Sequence, residues 1–296
     1  MTQPVLAPDV DAFLDAAARE GKSPHTLAAY RADLRVFAEW FALTNGESMR
    51  AAAVTPTDIR TFRAYQQVNR RLKPATVNRR LTSLHRFFHW ADATGRVARD
   101  PTDDIDGVVA TPSPPRWLGR QDLGRLTKMV ERHGSLRDVA IIQLLRQTGI
   151  RVGELCALTL DDVHIGERSG KLVVRAGKGN KYREVPLNLH VRKALKLYLD
   201  EGRPTTKHRQ VFIGQRGPLT ERAVQIILRK YAGLAGLEGV TPHTLRHSFG
   251  KMLVDEGEQI TVVAALLGHE NLKTTMIYTQ PGREDLEAAV GRLESL

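Results

Sequence analysis

The chain has 296 residues, 42% of them hydrophobic and 26% charged, a length that suits two domains better than one and a composition that can fill real cores. The net charge of +11 favours a polyanionic partner, nucleic acid before an anionic membrane surface. The lone Cys156 excludes an internal disulfide and a cysteine-based zinc cluster, and no run of about 18 apolar residues is present to cross a bilayer.

The opening stretch MTQPVLAPDVDAFL lacks the basic-then-apolar layout of a secretory signal, so a cytoplasmic protein is expected. The first hundred residues read as helices. Ser23 and Pro24 start one, and Leu27, Tyr30, Leu34, Phe37 and Phe41 form its apolar face. Thr55 and Pro56 repeat the start signal. A third helix runs from near Pro74 to Gly95, with Val77, Leu81, Leu84, Phe88 and Ala91 inward. Its other face carries Asn78, Arg79, Arg80, Ser83 and Arg86, just after the basic run Asn69 to Lys73. Those cations are either a solvated surface or a phosphate-contacting face, with Lys73, Arg79, Arg80 and Arg86 as the candidate DNA contacts. The proline-rich stretch RDPTDDIDGVVATPSPPRWLG lacks helical periodicity and reads as a linker over 104–116. It divides the chain into domains 1–103 and 117–296.

The second part is mixed. Helices fit 120–132 and 136–148. KLVVRAGKGNKYREVPL reads as a hairpin, with Val173 and Val174 in one strand, Glu184 to Leu187 in the other and GKGN as the turn. Helices resume after Leu187, interrupted by a short apolar VFIG.

Several chemistries fail on inspection. AGKGNK is not G-x-x-x-x-G-K-[ST], so nothing invokes a nucleotide. His243 and His247 have a zinc-like spacing, but no glutamate lies between them and Arg246 shares their face. No acidic cluster resembles a two-metal nuclease site. Neither a metal nor another cofactor is expected.

What remains is a set of basic groups. Arg151, in TGIRVGEL, sits between two apolar helices and needs a partner, such as Glu154, or a ligand. Lys178 lies at the GKGN turn, with Lys181 nearby. His243 and Arg246 share one face near a helix start, and His269 follows Gly268, which is expected to cap the preceding helix. Tyr278 comes nine residues later in a polar segment, where a tyrosine is ordinarily packing. Together these groups fit one task. Arginines can clamp phosphodiester oxygens, a lysine can protonate a departing alkoxide, histidines can move a proton, and a tyrosine can attack phosphorus.

TGIRVGEL, GKGNKYREVPL, HTLRHSF and LLGHENLKTTMIYT, in that order, resemble the boxes of the tyrosine recombinase (phage integrase) family, its Xer-type members most closely. The resemblance implies a mainly α fold of two domains: an N-terminal helical core-binding (SAM-like) domain, and a C-terminal mixed α/β catalytic domain with a small β-hairpin sheet. It implies that Arg151 and Arg246 are the catalytic arginines, Lys178 the general acid on the 5′-hydroxyl, and His243 the histidine of the H-x-x-R pair. His269 holds the histidine-or-tryptophan position, Tyr278 is the nucleophile and Glu154 an acidic residue that orients the site. The two domains would clamp duplex DNA carrying paired inverted sites. Four protomers, identical or of two kinds, would exchange strands through a Holliday junction without an external energy source. An accessory protein could take part.

The tail REDLEAAVGRLESL, with Leu286, Val290 and Leu293 on one side, is expected to form a short helix that docks on a neighbouring protomer. The core-binding helices are expected from the first residues onward, with no arm-binding domain expected before them. That favours resolution of chromosome or plasmid dimers over a phage or transposon integrase of the same chemistry. A non-cleaving DNA-binding architectural protein would match the charge but not the six aligned groups.

Overall fold

A computed structural model describes residues 8–109, 116–175, 182–269 and 271–279, together with Val290. Lys178, Lys181 and the expected tail helix, apart from Val290, lie outside the described residues. The chain divides into two compact units, Met1–Ser113 and Pro114–Leu296.

The first unit holds α1 (Pro8–Arg19), α2 (Pro24–Asn45), α3 (Pro56–Val68) and α4 (Pro74–Ala93). The start signals work as their chemistry requires. Ser23 accepts the backbone N–H of Thr26. At α3, Thr55 and Asp58 satisfy each other's backbone N–H groups in a capping box. The apolar faces meet in an aromatic core in which Phe37 and Phe62 pack edge-on with centroids 5.0 Å apart. All five residues expected on the inner face of α4 are buried.

The polar face of α4 is less free than its spacing suggests. Asp33, on α2 and only 2% exposed, accepts from Arg79 Nη1 at 2.6 Å and from the Ser83 hydroxyl at 2.8 Å. Arg80 donates to Gln66 at 3.1 Å and lies 3.8 Å from Asp33. The Asn78 amide bonds both backbone polar groups of Val108. Ile105 is buried in the same core, so part of the span expected as linker packs on the first unit. Arg86 and Lys73 stay exposed.

The second unit contains α5 (Arg120–His133), α6 (Leu136–Thr148) and α7 (Val152–Ala157), then β1 (Val163–Ile165), β2 (Gly170–Arg175) and β3 (Tyr182–Pro186). After these come α8 (Leu189–Leu197), a two-stranded β4 (Ile213–Gly214) and β5 (Gly217–Pro218), α9 (Glu221–Leu234), α10 (Pro242–Asp255) and α11 (Ile260–Leu267). Two single 3₁₀ turns follow, Leu272–Thr274 and Met276–Tyr278. The sheet is antiparallel in the order β1-β2-β3, with Val173 opposite Glu184 and Val174 opposite Arg183. β1 adds a strand to the expected hairpin. α6 is buried nearly all round and forms the centre of the core.

Candidate active site

α6 ends at Gly149 in the left-handed conformation, and the chain turns at once into α7. Arg151 is the residue before α7. Glu154 reaches back to its backbone N–H at 2.7 Å, which fixes the helix start. The same carboxylate accepts from Arg151 Nη1 at 2.9 Å, while Arg151 Nη2 donates to the Gly268 carbonyl at 3.2 Å. Arg151 is thus held at its root and half exposed at its head.

Arg246 is held differently. It projects inward from the first turns of α10, 3% exposed, and donates to the carbonyls of Gly149 and Leu267 at 2.6 Å each. Two helix-end carbonyls that would otherwise be orphans are thereby satisfied. Burial first, and then Arg151, lowers its pKa to about 10, so it stays charged at neutral pH.

Arg151, Arg246 and His243 line one cleft of about 550 Å³ with Val152, Gly153, Glu154, Arg175, Glu221 and Pro242. Arg175, at the end of β2, is held on Asp162 at 2.9 Å. His243 loses solvation there and feels both arginines, so its pKa is lowered. His269 is lowered to about 4 by burial and then by Arg246, Arg151, His247 and Arg183, and its Nδ1 lies 2.8 Å from the buried Thr275 hydroxyl. Among the described residues no three His, Cys, Asp or Glu side chains converge as a metal-ligand set.

Tyr278 lies apart from the cleft lining. It is 1% exposed and packs with Val263 and Leu267. Its ring rests on Gly250 of α10, where a Cβ would come within 2.7 Å of a ring carbon, so only glycine leaves room. Burial raises its pKa, and Arg246 offsets this only partly.

Sequence reasoning missed two residues here. Arg183 on β3 forms a forked pair with Glu154 at 2.9 and 2.8 Å and donates to the Leu266 carbonyl at 3.1 Å. Gly268, at φ +66°, passes directly over that guanidinium. His247, weighed in the sequence only as a zinc ligand, packs edge-on to His243 at 4.2 Å and places Nδ1 2.9 Å from the Tyr278 hydroxyl. Its placement one helical turn from His243 was the available signal. Lys73, Arg79, Arg80 and Arg86 belong to the first unit, and the groups above to the second.

Known proteins match this chain along most of its length. Residues 116–284 match the phage integrase family and residues 10–95 the phage integrase N-terminal SAM-like domain. The chain is 34% identical over 287 residues to tyrosine recombinase XerC of Roseiflexus castenholzii, covering 93% of this chain and 89% of that one. It is 33% identical over 286 residues to tyrosine recombinase XerD of Ralstonia nicotianae, covering 94% and 91%. Among solved structures, XerH bound to a palindromic difH substrate in a post-cleavage complex matches with a TM-score of 0.75, 24% identity and coverage of 91% and 80%, a likeness of fold. With both family domains in order and relatives of this identity along nearly its full length, the chain belongs to the phage integrase family of tyrosine site-specific recombinases.

Proposed function

We propose that this recombinase cuts and rejoins duplex DNA through Tyr278, with the scissile phosphate seated in the cleft of Arg151, His243 and Arg246. The convergence of two fixed guanidiniums and an imidazole on one open cleft carries the reading. Arg151 and Arg246 meet the nonbridging oxygens, whose negative charge grows as phosphorus becomes five-coordinate. The Tyr278 hydroxyl gives up its proton to His243 as its oxygen forms a bond to phosphorus, the bond to the 5′ oxygen breaks, and the departing oxygen takes a proton from Lys178. The product is a 3′-phosphotyrosine and a 5′-hydroxyl. Attack by a 5′-hydroxyl from a partner strand reverses these steps, so the energy of the broken link is retained in the phosphotyrosyl bond. Glu154 orients Arg151, and His269 hydrogen-bonds the phosphate. Lys73 and Arg86, both exposed, are the leading candidate contacts to the flanking backbone, ahead of Arg79 and Arg80, which Asp33 already holds.

The relatives named XerC and XerD support an Xer-like role in resolving chromosome or plasmid dimers. In that role, protomers assemble as a homo- or hetero-tetramer on paired inverted sites, exchange C-terminal tails and act in the cytoplasm. No helix of the described residues is long and apolar enough to cross a membrane.

The test is a nicked suicide duplex carrying a site selected from a random DNA pool. Wild type forms a covalent protein–DNA adduct, and Tyr278→Phe forms none. Absence of the wild-type adduct on DNA that the protein binds rejects the reading.

A further inference from the structure

The Tyr278 hydroxyl makes one hydrogen bond among the described residues, the 2.9 Å contact with His247 Nδ1. A buried hydroxyl without a partner is costly, so this contact is a principal tie holding the tyrosine on the inner face of α10. At 1% exposure the residue is closed to solvent, and an oxygen that water cannot reach is not open to a phosphodiester. The state that the contact stabilises therefore precedes attack. We propose that His247 is a positioning residue that latches Tyr278 in a non-attacking position, a hydrogen bond the nucleophile gives up before cleavage. The proposal rests on the reading of Tyr278 as the nucleophile.

A general base also needs hydrogen-bond reach, and His247 has it. The proton, however, stays on tyrosine in this pair. Burial, then His243 and Arg246, holds the imidazole at about 4, while burial pushes Tyr278 above its ordinary value of about 10. Both shifts run against transfer, one lowering the acceptor and the other raising the donor. The O–H donates, and neutral Nδ1 accepts. The latch also stands close to the cleft. His247 packs edge-on against His243, which lines the phosphate site, so a ligand at His243 is one ring away from the group that holds the tyrosine.

Two variants remove the acceptor: His247→Ala, and His247→Phe, which keeps a ring against His243. His247→Asn brings an amide oxygen near the place of Nδ1 and can accept again. Single-turnover adduct formation on a saturating suicide duplex, with the adduct mapped by peptide mass, reads the latch. The expected result is roughly fivefold faster adduct formation in the Ala or Phe variant, the factor for one net hydrogen bond, with a return toward the wild-type rate in Asn. Either acceptor-free variant alone is decisive if the other does not fold. Unchanged or slower cleavage in the acceptor-free variants overturns the latch, as does an Asn variant as fast as Ala. A wild-type adduct that maps elsewhere than Tyr278 overturns the nucleophile reading instead.

Discussion

A phosphate entering the Arg151–His243–Arg246 cleft meets imidazoles that are uncharged at neutral pH. Burial lowers His243, His247 and His269, and the neighbouring cations lower them further. A folded-state pKa below the unfolded value means the unfolded chain binds more protons between the two. Stability is therefore full above about pH 6.5 and declines as pH falls toward 4. DNA reverses the local sign, because an anion beside an imidazole favours its charged form. At pH 5.5, DNA binding should take up protons, seen as a binding enthalpy that changes with the buffer's ionisation enthalpy. Equal enthalpies in two such buffers would contradict this. The two cleft arginines should separate in a second measurement. Arg246→Ala strands the Gly149 and Leu267 carbonyls in a buried place and should cost about 2–4 kcal/mol in denaturant unfolding. Arg151→Ala, at a half-exposed ion pair, should cost at most about 1 kcal/mol while abolishing cleavage. Similar losses of stability would show that both act as structural ties.

At the scale of elements, one carboxylate ties three of them together. Glu154 on α7 pairs with Arg151 at its own helix start and with Arg183 on β3, and Arg183 also bonds the end of α11. Burial alone would raise the Glu154 pKa, but the bonds from Arg183 and Arg151 outweigh it and lower it. Its stabilising contribution is therefore present above its unfolded value near 4.5 and lost as pH falls through the lower folded value. Arg183→Ala and Glu154→Gln should each reduce cleavage more than DNA affinity. In a double-mutant cycle on stability they should fall short of additivity by about 1–3 kcal/mol. Additive losses would mean the pair does not act as a unit. Much of this architecture is legible in the sequence, because caps and periodicity are local. Ser23–Pro24, Thr55–Pro56, Thr241–Pro242 and Gly268 mark helix ends that the fold uses. Residues that meet across long stretches of chain are not legible that way. Arg183 and Glu154 are 29 positions apart, Arg79 and Asp33 46, and His247 and Tyr278 31. Helical spacing says which face a residue shares, not which distant group arrives there, and the three residues of β1 are too few to show a period.

Across the whole molecule, 44 basic and 33 acidic side chains leave an excess of +11 that favours a polyanion. The slope of log K against log salt counts phosphates neutralised, about 0.9 for each contact on duplex DNA, not the net charge. A guanidinium already paired with a carboxylate before and after binding adds little to that count. Arg79 donates to buried Asp33 at 2.6 Å, and Arg80 is held between Gln66 and Asp33. Asp33 would otherwise be a buried, uncompensated charge, so the first task of these two arginines is to satisfy it. Lys73 and Arg86 are exposed on the same helix or at its start. Lys73→Ala and Arg86→Ala should each lower the slope by roughly one and leave unfolding unchanged. Arg80→Ala should leave the slope nearly intact and destabilise the fold by about 1–3 kcal/mol, since Asp33 and Gln66 lose a partner. Salt titrations of binding for the three variants, paired with denaturant unfolding, decide it. If Arg80→Ala lowers the slope as much as Arg86→Ala does, Arg80 leaves Asp33 for a phosphate when DNA binds, and that face of α4 is a contact surface along its whole length.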